Sequence, residues 1–219
     1  MRARYIGKLR EVSNNILTIG ELTAQALKSA VEALAADDKE KARLLIDADE
    51  VINHKRFYVE EQLVNLIAKE QPMAKDLRNI VAHLVVTTEL ERTADYAVGI
   101  ARNAYKMENV PPPDIMQQIE QMAETVIDRL NRGLQIYLSG DIISASKLGL
   151  EDDYVDEYYH RILRNLLEMV AKGKLVLADA MRLMWTAHNL ERSADRTTNI
   201  CERAIYAQTG LMKEFEHQV

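Results

Sequence analysis

The residues of this chain best suited to chemistry are carboxylates, and they come in pairs one helical turn apart. Leu90-Glu91-Arg92-Thr93-Ala94-Asp95 returns one hundred residues later as Leu190-Glu191-Arg192-Ser193-Ala194-Asp195. In each copy Glu and Asp stand four apart in sequence that reads as helix, so both project from one face. Counting by sevens, Glu91 shares a row with Leu77, Leu84, Val98 and Tyr105, and Glu191 shares one with Leu177, Met184, Thr198 and Ile205. Each Glu therefore interrupts a mostly apolar seam. Like charges at this spacing repel, and an unpaired buried carboxylate is costly. Something positive must stand opposite, either an Arg or Lys side chain or a bound metal. The residues alone leave both open, and the recurrence at one seam position points to a shared purpose.

A second acidic element precedes each copy. Asp49-Glu50-Val51-Ile52-Asn53 and Asp152-Asp153-Tyr154-Val155-Asp156 both begin with Asp and place another oxygen-bearing side chain four residues on. Asp152 shares a row with Ala145, Tyr159 and Leu166, and Asp156 with Gly149, Leu163 and Val170, which predicts a packed seam here too. A hairpin turning near residue 70 or 173 brings the two elements of each half to one height. Asp49, Asn53, Glu91 and Asp95 then converge in the first half, and Asp152, Asp156, Glu191 and Asp195 in the second. Mg²⁺, Ca²⁺ and Mn²⁺ take such ligands, as do oxygen-rich iron sites, whereas zinc more typically recruits His or Cys. His188, three before Glu191, lies on nearly the same face and could join the second set; Thr88 takes its place in the first. Arg92 and Arg192 point about a quarter turn away from the neighbouring Glu and could neutralise the acids of an adjacent helix.

The elements that position these groups are long helices. Residues 3–36 carry Ile6, Leu9, Val12, Ile16, Ile19 and Leu22 at spacings of three and four. Asp38 caps a second helix over 38–69, and Pro72 suits the first turn of a third that runs to about 107. Pro111-Pro112-Pro113 cannot continue a helix. The order then repeats: a helix over 114–138, a break at Ser139-Gly140, a helix capped by Asp141 and running to 172, a break at Gly173, and a last helix over 175–209 stopped by Gly210. The predicted fold is all-α, two tandem duplicated three-helix bundles of six long helices, with bundles at 1–108 and 114–219 and a stiff Pro-rich linker at 109–113.

Composition narrows the function classes. Apolar residues make up 47% and charged residues 28%, the balance of a chain that folds. A net charge of −6 argues against broad nucleic-acid binding. Cys201 is the single cysteine, so no disulfide forms within the chain, which suits a reducing compartment; it lies in helical sequence and reads as packing rather than a nucleophile. The basic start, Met1-Arg2-Ala3-Arg4-Tyr5, is not followed by the apolar core of a signal peptide, and no apolar stretch is long enough to span a bilayer. No Gly-rich phosphate loop, nucleophile elbow or zinc-protease signature is present, so the sequence predicts no catalytic residues.

On these residues the chain resembles the PhoU family. The resemblance covers the whole length: two three-helix repeats, the Glu-Arg-small-small-Asp motif in both third helices, and the Asp-x-x-Val/Ile-Asn/Asp motif in both second helices. The family commonly has Gly before the motif's Asp, where Ala94 and Ala194 stand here, and Asn53 in place of Asp156 lowers the charge of the first set. The resemblance implies a cytoplasmic, commonly homodimeric protein at the inner face of the membrane. It implies a negative regulator of phosphate uptake and phosphate-starvation signalling, one that binds the ATPase subunit of the phosphate ABC transporter and a sensor histidine kinase. It also implies metal, iron or zinc, on the acidic motifs. Two other classes stay open. A carboxylate-bridged di-metal enzyme needs Glu-x-x-His on two helices, and the nearest order here, His188-x-x-Glu191, is reversed and single. A purely structural helical adaptor would pair its acids with Arg.

Overall fold

Stretches without proline and with apolar residues at helical spacing fold as helices of up to 34 residues. The computed structural model describes residues 2–151, 153–212 and 215, with residues 2, 3 and 153 described by their backbone alone. Among the described residues there is no β-strand, and the helical segments are α1 (Arg2–Ala35), α2 (Lys39–Asp47), α3 (Asp49–Glu70), α4 (Lys75–Lys106), α5 (Pro113–Ser139), α6 (Ile142–Gly149), α7 (Asp153–Ala171) and α8 (Leu177–Thr209). They make six long helices, because α2 with α3 and α6 with α7 are each one expected helix broken once. The first break falls at Ala48 and makes Asp49 the first residue of α3, where a carboxylate meets the positive end of the helix dipole. The second follows Gly149, where α6 ends.

The helix ends follow local chemistry. Asp38 accepts from the Lys41 N–H at 2.9 Å, and Asp141 from the Ile143 and Ser144 N–H groups at 3.0 and 3.1 Å. Pro113 opens α5, and Gly210, at φ 78°, closes α8 in the left-handed conformation. The start of α4 differs from expectation. Gln71 and Ala74 both take positive φ, so 72–74 form a turn and the helix begins at Lys75, beyond Pro72.

The same buried positions recur in both halves. Val12, Ile16, Ile19, Leu27 and Leu34 on α1 stand 103 residues before Ile115, Ile119, Met122, Leu130 and Tyr137 on α5, and all are buried. In each half the three helices pack as a bundle, and the bundles meet where α4 lies on α8 and α1 on α5, so one hydrophobic core runs through both. Glu89 with Asn199, Tyr96 with Arg192, Gly99 with Asn189, and Asn103 with Thr186 show that α4 and α8 run antiparallel. Stepping along these pairs brings the two six-residue motifs to one level, in the middle of the crossing. Thr93 and Ser193 are fully buried there, each hydroxyl donating to the carbonyl four residues back, of Glu89 at 2.8 Å and of Asn189 at 2.7 Å.

Two buried polar clusters tie the halves together. Asp179, in the first turn of α8, accepts from the Glu108 N–H (3.1 Å), the Asn109 N–H (3.2 Å) and Asn109 Nδ2 (2.8 Å), and pairs with Arg182 at 2.7 Å. Burial pushes its carboxyl up, but the hydrogen bonds from Asn109, Glu108 and Arg182 together outweigh burial and hold it below the usual range. The connection between the bundles is thus fastened to the last helix. On the other side, His83 of α4 is buried with Nδ1 against the Tyr137 hydroxyl and Nε2 3.3 Å from Ser13 Oγ, joining α4, α5 and α1.

Replacing Asp179 with Ala removes one acceptor of several donors, and we expect a loss of about 2 kcal/mol in urea unfolding followed by circular dichroism. Glu108→Ala, at the exposed rim of the same cluster, should change stability by no more than about 0.5 kcal/mol. Burial pushes the His83 imidazole down from 6.5 to about 4. Its folded pKa is depressed, so the unfolded chain binds the proton first as pH falls. Stability from this residue is full above about pH 6.5 and declines through that window toward pH 4, by on the order of 3 kcal/mol at its end. His83→Gln keeps hydrogen-bonding atoms without titrating and should flatten the slope between pH 6.5 and 5 in the same unfolding measurement.

Candidate functional site

In the first half the α3–α4 hairpin brings Asp49, Glu91 and Asp95 within electrostatic reach of one another. The Glu91 side chain is 19% exposed, Asp49 and Asn53 are half-buried, and Asp95 lies exposed at the rim. Partial burial first, then the neighbouring Asp95, pushes the Glu91 carboxyl above its usual range; burial and then Asp49 do the same to Asp95. Arg56, three residues after Asn53 on α3, works against both. Its Nε lies 3.5 Å from Glu91 Oε1, its Nη1 2.5 Å from Glu60 Oε1, and its guanidinium 4.4 Å from the Phe57 ring centre. Beside this cluster a largely apolar cleft of about 190 Å³ opens between α1, the α2–α3 break and α4, lined by Leu22, Ala26, Ala48, Asp49, Ala94 and Val98.

In the second half Asp152 lies outside the described residues. The Glu191 and Asp195 side chains are 22% and 17% exposed. His188 Nδ1 lies 3.3 Å from Glu191 Oε2. Burial, then Arg192, holds the imidazole below its usual pKa against the pull of Asp195, which favours the neutral ring. Its ring centre is 5.3 Å from that of Trp185 and 6.2 Å from that of Tyr159. Arg192 Nη1 pairs with Asp195 Oδ2 at 3.1 Å, and Arg192 also hydrogen-bonds Tyr96 of the first half. Asp156 is exposed rather than set in a seam; Val155, with Ile162 and Leu166, enters the core instead. The two seven-residue rows also open at one end, where Leu77 is 40% and Leu177 61% exposed.

The structure therefore brings Asp49, Glu91 and Asp95 together in one cluster with Arg56, and Glu191 and Asp195 in another with His188 and Arg192. Among the described residues no three His, Cys, Asp or Glu side chains gather into one metal-holding group. A guanidinium stands against an acid in both halves, Arg56 at Glu91 and Arg192 at Asp195, and the halves differ in their other donors. In the second, an imidazole kept neutral beside Glu191 and Asp195 adds nitrogen to oxygen, a donor set that suits zinc or iron. Cys201 is fully buried, and burial pushes its thiol up to about 12 against the opposing pull of Arg129, which keeps it a packed thiol rather than a nucleophile.

The most buried motif-side carboxylate is one that seam counting misses. Glu89 accepts from Arg196 Nη1 at 3.2 Å and Asn199 Nδ2 at 3.0 Å across the α4–α8 crossing, with Arg92 Nη1 at 3.8 Å on its own helix. Arg92 and Arg192 thus make their nearest ion pairs on their own helices, and Arg56 and Arg196 supply the contacts between helices. The one signal available in the sequence is Asn189 at the matching place in the second copy, since a polar residue kept at one position in both repeats marks a polar contact there.

Comparison with known proteins gives a consistent relationship. The model of the PhoU domain matches residues 16–104 and again 119–204, one match in each bundle. A phosphate-specific transport system accessory protein PhoU homolog of Clostridium acetobutylicum is 32% identical over 95% of this chain and 96% of its own length. The phosphate-specific transport system accessory protein PhoU of Escherichia coli K12 is 28% identical over 98% and 88%. The crystal structure of the phosphate transport system regulatory protein PhoU from Streptococcus pneumoniae superimposes with a TM-score of 0.89 at 26% identity, covering 96% of this chain and all of that one. The crystal structure of PhoU from Pseudomonas aeruginosa gives 0.87 at 27% identity, over 94% of this chain. With both repeats matched, nearly full-length relatives and two superimposable crystal structures, the chain belongs to the PhoU family.

Proposed function

We propose that this protein is a regulatory accessory of phosphate transport, one that restrains phosphate uptake and damps phosphate-starvation signalling by binding rather than by turnover. The observation that carries the reading is the two-repeat, nearly full-length match to proteins named as accessory or regulatory components of the phosphate transport system. Its partners in this reading are the ATPase subunit of the phosphate ABC transporter and a sensor histidine kinase, engaged as a homodimer at the cytoplasmic face of the membrane. Among the described residues no helix is long and apolar enough to cross a membrane, so contact with a membrane complex runs through such partners. Extended helical faces supply the surface, with the bundles 1–108 and 114–219 as the two units and 109–113 between them.

The reading includes metal on the acidic motifs. In the second bundle Asp156, Glu191 and Asp195, with Asp152 and His188, would hold iron or zinc, while oxygen donors alone would also suit Mg²⁺, Mn²⁺ or Ca²⁺. The ion would supply positive charge to a cluster of acids and fix α7 against α8, which is a structural or regulatory role. The contact of Arg56 with Glu91 favours a purely ionic role for the first cluster's acids.

A pull-down with the cognate transporter ATPase and the cytoplasmic domains of the kinase tests the proposal, alongside circular dichroism of the same samples. We expect both partners to be retained. Chelator treatment should weaken retention before helical content falls, because the packing outside the motifs is apolar. Failure to bind either partner, with or without metal, would overturn the regulatory reading.

A further inference from the structure

We infer that Phe215 is a removable plug for the end of α6. Docked, it sets where the start of α7, which carries Asp156, stands relative to Glu191 and Asp195; withdrawn, it frees that junction to move. The inference needs neither a partner nor an ion, so it stands apart from the regulatory and metal readings above.

The register of the repeat shows what the end of α6 lacks. An offset of 103 matches the capping residues Asp38 and Asp141, and the buried pairs Ala42 with Ala145 and Ile52 with Val155. The same offset sets Ile46 against Gly149. In the first bundle the helix supplies its own apolar side chain at this place, and Ile46 packs against the core. In the second it supplies none. A Cβ on Gly149 would come within 2.6 Å of two further atoms of the Phe215 ring, Cδ2 and Cζ, closer than real side chains approach. The ring therefore takes the space that a side chain on α6 would need, and Phe215 is 7% exposed there. Its N–H donates to Glu202 Oε1 at 2.9 Å. Leu148, beside Gly149, is buried, whereas its counterpart Leu45 is half-buried and lines the open cleft of the first bundle.

The plug is lightly tethered. Gly210 turns the chain out of α8 in the left-handed conformation, and Leu211 and Met212 are 70% and 66% exposed, with the Met212 sulfur 3.3 Å from Arg203 Nη1. Burying one aromatic ring gains about as much as ordering the stretch 211–215 costs. Docking is therefore a near-balanced equilibrium, unlike the packing of the long helices. Beyond α6 the chain is held from α5: Arg129 Nη1 donates to the Glu151 carbonyl and its Nη2 to Thr198 Oγ1 at 2.9 Å, and Arg132 pairs with the Glu151 carboxylate at 2.9 Å. Those contacts fix the connection, and Phe215 covers the end of the helix that leads into it.

The single tryptophan reports on the acids. The Trp185 ring centre is 5.3 Å from that of His188, which lies against Glu191. Glu202, which holds the Phe215 N–H, stands about 25 Å further along α8, so a change at Trp185 is transmitted rather than local. The test is hydrogen exchange of the full chain read by peptide mass spectrometry, with Trp185 emission and circular dichroism on the same samples. In the parent, residues 211–215 should exchange at least tenfold faster than the middle of α8, as a near-balanced plug requires. Phe215→Ala should speed exchange over 142–151 tenfold or more, leave α5 and the helical content as they are, and shift Trp185 emission. Phe215→Leu, still apolar, should stay near the parent. Gly149→Ile gives α6 the side chain that Ile46 gives α2, and should free 211–215 while 142–151 stays slow and the emission stays at the parent's value. Gly149→Ala, a smaller intrusion, should also free 211–215 and reads release should the larger side chain disrupt α6. Exchange at 211–215 as slow as in the middle of α8 overturns the inference, as does Phe215→Ala with either 142–151 or Trp185 emission unchanged. General loss of helix in Phe215→Ala overturns it too, since the ring would then be part of the core and not a plug.

Discussion

Two long helices crossing at the level of their own repeated motif hold this molecule together, and the polar groups they bury must satisfy one another. A carboxylate left unpaired at such a crossing would cost several kcal/mol, enough to consume much of a typical domain's stability. Glu89 is therefore met by Arg196 and Asn199 from the opposite helix. At the related contact on the other side, Asn189 stands where Glu89 does and Gly99 where Asn199 does. A Cβ on Gly99 would come within 2.7 Å of Asn189 Nδ2, so the amide fills the space that a side chain would otherwise need. One contact is thus solved twice, once with charge and once with an absent side chain. The outer helices α3 and α7 pack on this frame, and their polar residues reach the flanks of the motifs from there.

Much of the fold was legible because its signals are local. Caps at Asp38 and Asp141 and Gly210 at an end act through their own backbone, and each is where the sequence places it, while Pro113, read as the end of the linker, opens α5 instead. The break at Ala48 was not legible, since Leu44 to Asp49 contains no Gly or Pro and nothing in composition distinguishes it from continuous helix. The turn at 72–74 misled for a related reason: a proline tolerated in a first helical turn is tolerated equally in the turn before it.

The candidate site was legible in its acids and not in their partners. Spacing shows that Glu91 and Asp95 share a face, but which cation meets them depends on how far α3 slides along α4. Arg56 is set by that register and Arg196, which meets Glu89, by the register of α8 on α4, and periodicity is blind to both. Counting by sevens through Glu91 also picks one row on a helix that is buried on several sides. Leu90, Thr93, Ala97 and Ala101 are more deeply enclosed than the row through Glu91. A helix packed against α1, α3 and α8 at once carries too wide a buried surface for one row to represent it.

The duplication separates what packing demands from what polar chemistry permits. Buried apolar positions match along α1 and α5 and along α3 and α7, because each bundle must fill the same space to close its core. Polar positions are freer, since a cluster of acids needs positive charge but not any particular bearer of it. A guanidinium from the chain and an ion from solution answer the same electrostatic demand, and they differ in what they leave adjustable. Charge supplied by Arg56 is present whenever the bundle is folded. Charge supplied from solution depends on concentration, and a bundle closed by it can report on conditions outside itself. The α4–α8 crossing, where Glu89 meets Arg196 and Asn199 beside the repeated motifs, is the contact that joins the two clusters in one core.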